Sequence, residues 1–376
     1  MRQPVTSSFP RGESEEERIH VRTPLALRQR RAQGLNVTPV NPGLRLACLA
    51  LPFLISMTGQ QGTVSDSSDA SENDPDRAVK ATDDVLWRLE LADVAEVRTF
   101  RYTGLPSRTG KNPMILYSYS YIPRKMDRTR KHPLIVLIHG GVHGNHMTGG
   151  PANGANIVRE LIEEGYAVVA PDYRGSSGYG AAYQKAIDYG GKENDDVLGA
   201  RNWMIERYSF LDANRVGLVG WSHGGMIALF NIFQYPGAYA CAFAGDPVSD
   251  LIERRKYLKS MPRTIAESAG ESAAADEDEY RRRSPVTYAA KLNKPLLIHG
   301  NTNDETVRIV EVRKLIDALR AAGRTFESKI YEDAPGGHHF NRIDTELARE
   351  SRREIYAFLK RYLLPDPAAA VGSGAR

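Results

Sequence analysis

The sequence predicts an α/β fold, with a mostly parallel sheet, helices on both faces and antiparallel strands at the N-terminal edge. Three observations predict it. From residue 134 onward, apolar runs of strand length alternate with segments of helical period. Before them, two segments alternate polar and apolar residues with period two, the pattern of half-buried antiparallel strands. Between one apolar run and one helical segment stands Gly220-Trp221-Ser222-His223-Gly224-Gly225, a serine enclosed by glycines.

Residues 1–45 form a polar, basic leader containing Arg28, Arg30, Arg31 and Arg45. The apolar run from Leu46 to Ile55 is shorter than the ~20 residues a bilayer span needs, so no stable membrane span is expected. With arginines before it and Ser56-Met57-Thr58-Gly59 after it, 46–59 reads as the apolar region of a secretory signal. Export to a periplasmic or extracellular location is the expectation; a cytoplasmic chain with an incidental apolar cluster is the alternative. Residues 60–81 are rich in Ser and Asp and read as a disordered linker. A catalytic domain is expected over 82–365, followed by a disordered tail over 366–376.

Val94 to Tyr102 and Met114 to Ile122 are the two edge strands, the second alternating aromatics with serine. Leu134 to Ile138 is continuously apolar, as a strand buried on both faces is. Ile157, Val158, Leu161 and Ile162 mark a helix stopped by Gly165, and Tyr166 to Ala170 the next strand. Val197, Ala200 and Met204 mark a helix before the strand Arg215 to Val219, and Met226 to Phe230 opens the helix after it. Tyr239 to Ala244 and Leu296 to Ile298 are strands. Val312, Leu315, Ile316 and Leu319 share one helix face, with Gly323 a C-terminal cap. Phe326 to Tyr331 is the last strand, and Ile355, Phe358, Leu359 and Tyr362 mark the last helix. Over 246–294 the periodicity fails amid charge clusters such as Arg254-Arg255-Lys256. This stretch reads as a mobile cap over the catalytic edge, or else as a solvated helical excursion.

The 376 residues are 41% hydrophobic and 26% charged, an ordinary globular composition with length for a large core. A net charge of +4 gives no case for nucleic acid or an anionic membrane as partner. Cys48 and Cys241 support no disulfide framework. No phosphate-binding loop, Cys-x-x-Cys or cofactor motif is present, and no cofactor is expected. His139, His143 and His146 cluster, but their spacing matches no zinc motif and no metal is expected.

Gly-x-Ser-x-Gly between a strand and a helix is the nucleophile elbow of α/β-hydrolases. The serine sits at the apex of a sharp turn, and its neighbours must be small for strand and helix to close on each other. A glycine-rich turn for phosphate is the rival interpretation. A serine hydroxyl needs a general base, and the base an orienting acid. Acid and base should follow late strands, in that order. Asp304 stands beyond the strand ending at Ile298, and His338 and His339 stand in a glycine loop beyond the last strand. Glu305 competes as an exposed loop residue and Asp333 as a turn residue. The oxyanion needs two N–H donors: that of His223, after the nucleophile, and one from His139-Gly140-Gly141, for which Gly141 is the choice. Seven histidines (139, 143, 146, 223, 299, 338 and 339) fall in loops expected at one sheet edge, where open α/β sheets bind ligands.

With these residues placed, the stretch from about Val94 to Leu364 resembles the catalytic domain of prolyl oligopeptidase family serine peptidases. Tyr173-Arg174-Gly175-Ser176-Ser177-Gly178-Tyr179-Gly180 is similar to that family's signature. Gly220-Trp221-Ser222-His223-Gly224-Gly225 resembles its serine motif, nearest the acylaminoacyl-peptidase and dipeptidyl-peptidase-like branch. His139-Gly140-Gly141 resembles its oxyanion loop, and Ser284-Pro285 also matches. The resemblance implies Ser222, Asp304 and His338 as triad, with Phe340 the aromatic after the base and Val307 completing the family's Asp-x-x-Val spacing. The loop from Gly300 to Asp304 is one residue longer than the family's, which implies a bulge. Residues 1–93 are too short for the family's β-propeller, so a stand-alone catalytic domain is expected. The implied activity is cleavage of peptide or acyl-amide bonds through an acyl-enzyme, on a peptide or small acyl substrate. A carboxylesterase or carbohydrate acyl esterase is the alternative, and a non-catalytic binder a third. Nothing in the sequence indicates an oligomeric state or the residues that select substrate.

Overall fold

In the computed structural model, residues 75–149, 154–260, 263, 265, 266 and 276–364 are described. The expected leader, signal region, tail and most of the linker lie outside them. The strands are β1 (Ala95–Gly104), β2 (Met114–Pro123), β3 (His132–Ile138), β4 (Ala167–Asp172), β5 (Leu211–Trp221), β6 (Cys241–Gly245), β7 (Leu296–Asn301) and β8 (Glu327–Tyr331). They form one 8-stranded sheet in the order β1-β2-β4-β3-β5-β6-β7-β8. β1, β2 and β4 pair antiparallel, and every pairing from β4 to β8 is parallel. The predicted α/β architecture is therefore the observed one, edge strands included.

The helices are α1 (Pro75–Glu90), α2 (Gly154–Glu163), α3 (Ala181–Gln184), α4 (Glu193–Arg207), α5 (His223–Gln234), α6 (Leu251–Tyr257), α7 (Glu277–Arg282), α8 (Ile309–Ala321) and α9 (Glu346–Leu363). Strand parity sorts them into two layers. Leu134, Val136 and Ile138 of β3 face one core with α4, α5 and α8. Ile135 and Leu137 face the other with Trp87 of α1, α2 and α9. This double coverage is why the central strands read as unbroken apolar runs.

One departure from the sequence expectation has a physical cause. Helix α1 begins at Pro75, inside the stretch expected to be linker. Its buried residues are Lys80, Asp83 and Trp87, two of them charged, so hydrophobic periodicity does not register the face. Lys80 pairs with buried Asp172 at 2.8 Å, and Asp83 accepts from the Thr148 hydroxyl at 2.6 Å. Within 246–294 the described residues include the short helices α6 and α7, held by buried polar contacts. Glu311 of α8 accepts hydrogen bonds from the Ser249 and Asp250 amides and, at 3.1 Å, from Arg254. Arg283 pairs with Asp188 and donates to the Tyr189 carbonyl at 2.6 Å.

Candidate active site

Strand β5 ends at Trp221, α5 begins at His223, and Ser222 alone makes the turn between them. Its φ of 58° is unusual for a side-chain-bearing residue and is held by the surrounding backbone. The Ser222 N–H donates to the Gly245 carbonyl at 2.9 Å, and its carbonyl accepts from Met226 and Val248. The flanking glycines are steric necessities. A Cβ on Gly220 would lie 2.3 Å from the Gly224 carbonyl oxygen, and one on Gly224 would lie 2.3 Å from the Ile138 carbonyl oxygen. Gly224→Ala should therefore disrupt the turn, reducing soluble yield or activity at least tenfold, whereas Gly237→Ala, with open space around it, should do neither.

Asp304 follows β7 and is buried. One carboxylate oxygen accepts the N–H groups of Thr306 at 2.7 Å and Val307 at 2.9 Å. The other meets His338 Nδ1 at 2.6 Å. The Asp-x-x-Val spacing thus has a local cause: the second and third amides after the aspartate fix its carboxylate. β7 continues past Gly300 to Asn301 and is followed by a turn closed by the Asp304 N–H on the Asn301 carbonyl. Asn301, unforeseen from sequence, clips the two loops together. Its amide donates to the carbonyls of Ala334 and Gly337, and its oxygen accepts the Ala334 N–H.

His338 lies in the short 3₁₀ turn Gly337–His339, entered through Gly336 and Gly337 at φ 95° and 54°. His339 is half-buried, its Nδ1 without a hydrogen-bond partner, and burial, Arg342 and His338 push its pKa down to about 4. Asp304 thus lies against His338 and not His339. The competing acids are placed elsewhere: Glu305 is exposed, and exposed Asp333 pairs with the Thr302 hydroxyl.

Ser222, His338, Gly140 and Gly141 line one cavity of about 370 Å³. Its apolar wall includes Leu137, Met147, Ile157 and Trp221. Gly141 adopts φ 77°, and Tyr173 anchors the loop by donating to the carbonyls of His139 and Gly141 at 3.1 and 3.2 Å. The His223 ring stacks on Tyr189 with centroids 4.8 Å apart, and burial pushes its pKa down to about 3. It is neutral at physiological pH, so the group to consider at His223 is its backbone N–H.

The expected histidine clustering is only partly observed. His139, His146, His338 and His339 line the cavity. His299 does not: it shares strand parity with Leu297 and its Nδ1 meets Ser351 of α9 at 3.2 Å. The three histidines of the glycine loop turn to separate partners, His139 to the Ser176 hydroxyl, His143 to the Gly175 carbonyl and His146 to the Leu137 carbonyl. Among the described residues, a different trio has donor atoms mutually within 4.8 Å, namely Asp246, Asp304 and His338. Asp304 and His338 are engaged with each other, and the buried Arg342 cation interacts with both carboxylates. No helix among the described residues is long and apolar enough to cross a membrane.

The sequence profile of the prolyl oligopeptidase family matches residues 156–365, more than half of the chain. The chain is 29% identical over 246 residues to dipeptidyl aminopeptidase BIII of Pseudoxanthomonas mexicana, covering 62% of this chain and 35% of that protein. It is 29% identical over 231 residues to human dipeptidyl peptidase 8, covering 57% and 24%. Among solved structures, acylaminoacyl peptidase of Pyrococcus horikoshii superposes with a TM-score of 0.61 at 20% identity, over 73% of this chain and 43% of that one. The chain thus spans about a third or less of the length of these curated relatives.

Proposed function

Because the chain belongs to the prolyl oligopeptidase family, we propose that it is a serine hydrolase cleaving peptide or acyl-amide bonds through an acyl-enzyme on Ser222. The observation that carries the proposal is the 2.6 Å contact of His338 Nδ1 with Asp304, in a cavity that Ser222 also lines. With Nδ1–H held by Asp304, Nε2 is the unprotonated nitrogen and takes the Ser222 proton as Oγ attacks the carbonyl. The negative charge developing on the carbonyl oxygen is met by the amides of Gly141 and His223. His338 then returns the proton to the leaving amine. Water repeats the sequence to release the acid and restore Ser222.

Two of the relatives are named for releasing dipeptides, which supports short peptides as substrates. A panel of aminoacyl and dipeptidyl arylamides, N-acyl amino-acid amides and aryl esters tests this. Turnover of at least one amide class, absent in Ser222→Ala, is expected. Ester turnover with no amide turnover would replace the peptidase reading with that of an esterase. The apolar wall gives a second check. Ile157→Phe should raise KM for a bulky phenylalanyl substrate severalfold and change turnover of an acetyl ester less than about twofold.

A further inference from the structure

Asp246 is a buried ionisable group that the proposed mechanism does not use. It follows β6 directly, is 0% exposed and has φ 39°, outside the usual range for a residue with a side chain. Its N–H donates to the His299 carbonyl at 2.8 Å and its Oδ1 accepts the Asn301 N–H at 3.0 Å, while Oδ2 has no hydrogen-bond partner. An acceptor oxygen left bare in the interior is costly, and a carboxylate charge there more so. One oxygen of Asp246, one of Asp304 and a ring nitrogen of His338 lie within 4.8 Å of one another.

We propose that Asp246 is a positioning residue for the Ser222–His338–Asp304 site: it is a neutral carboxylic acid that leaves Asp304 as the single carboxylate facing His338. Asp304 comes from the loop after β7, and His338, His339 and Arg342 from the segment after β8. Among the described residues, Arg342 is a buried cation felt by both Asp246 and Asp304, and His339 is held neutral. With His338 neutral before the reaction, two ionised carboxylates would leave one buried negative charge uncompensated. A proton on Asp246 removes it. Burial, then the neighbouring Asp304, raise Asp246 well above the usual carboxylate range, with Arg342 opposing. The proton stays on Asp246 throughout. Ser222 still gives its own proton to His338, and the imidazolium forms against one fixed anion.

This inference rests on the triad proposed above, and the rate at which a fluorophosphonate labels Ser222 between pH 4 and 9 tests it without knowledge of the substrate. The acid limb of that rate reports loss of the His338 proton. Asp246→Asn preserves the shape, tolerates φ 39° and cannot ionise. It should leave the acid limb within about 0.3 pH units and the plateau within about threefold of wild type. Were Asp246 an anion, its removal would destabilise the His338 imidazolium and move the limb down by about a unit or more; that outcome overturns the proposal. Asp246→Gly keeps the backbone accessible but removes the carboxyl, and its plateau should fall about tenfold or more, with asparagine as the rescuing variant. A glycine variant that labels at the wild-type rate would also overturn it. If the glycine variant does not fold, the limb of Asp246→Asn decides alone. Wild type that fails to label defeats the triad itself, a result distinct from either shift.

Discussion

His338→Ala should lower turnover by about 10⁴-fold or more, whereas His339→Ala should retain activity within about threefold. The two residues are adjacent, and a glycine loop could in principle present either one. The structure separates them by their partners. His338 Nδ1 sits 2.6 Å from a carboxylate that two backbone amides hold in place. His339 has no such acid and, with its pKa pushed down to about 4, would be a weak base at neutral pH. Steady-state kinetics of the two variants on one substrate decides the matter. Loss of activity in His339→Ala with survival of His338→Ala would reverse the assignment.

Arg174→Ala should destabilise the fold by about 3–5 kcal/mol, read as a lower urea midpoint. Arg174 and Asp196 are both fully buried. Arg174 donates through Nε and Nη2 to the two Asp196 oxygens, each at 2.7 Å, and its backbone N–H adds a third bond at 3.1 Å. Nη2 also donates to the Leu105 carbonyl at 3.0 Å, tying the start of α4 to the turn after β1. Truncating the arginine strands the Asp196 charge in the interior, which costs more than the pair itself contributes. Arg174→Met combined with Asp196→Leu should therefore recover much of the loss. A single substitution that leaves the midpoint unchanged would show that the pair does not hold this corner.

Legibility in the sequence followed from where the physics is local. The parallel strands announce themselves because both faces are covered, so Leu134 to Ile138 and Val216 to Val219 are apolar throughout. The elbow is legible because its glycines stand within a few residues of the serine and Gly220 answers to Gly224, four residues on, although Gly224 itself answers to Ile138, far back along the chain. Asp304 and His338 are suggested by chain order and loop position, and the structure brings them together at 2.6 Å. Choosing between His338 and His339 needed family resemblance, since the deciding contact spans the gap between two strands. The start of helix α1 at Pro75 is not legible because its buried face uses Lys80 and Asp83, whose partners Asp172 and Thr148 lie far along the chain. His299 was grouped with the site because loop position was counted and strand parity was not. Tyr173 and Arg174 belong to the motif over 173–180, but their work, holding the 139–141 loop and pairing with Asp196, appears only once the chain is folded. Asp246 carried no sequence pattern at all; only burial makes its carboxyl unusual.

The central claim is that Ser222 is a nucleophile activated by His338. Intact-mass spectrometry after exposure to a fluorophosphonate tests it most directly, with peptide mapping of the modified residue. A single covalent adduct on Ser222 in the wild-type protein is predicted, and none in Ser222→Ala. An unlabelled wild type, or equal labelling of Ser222→Ala, would contradict it.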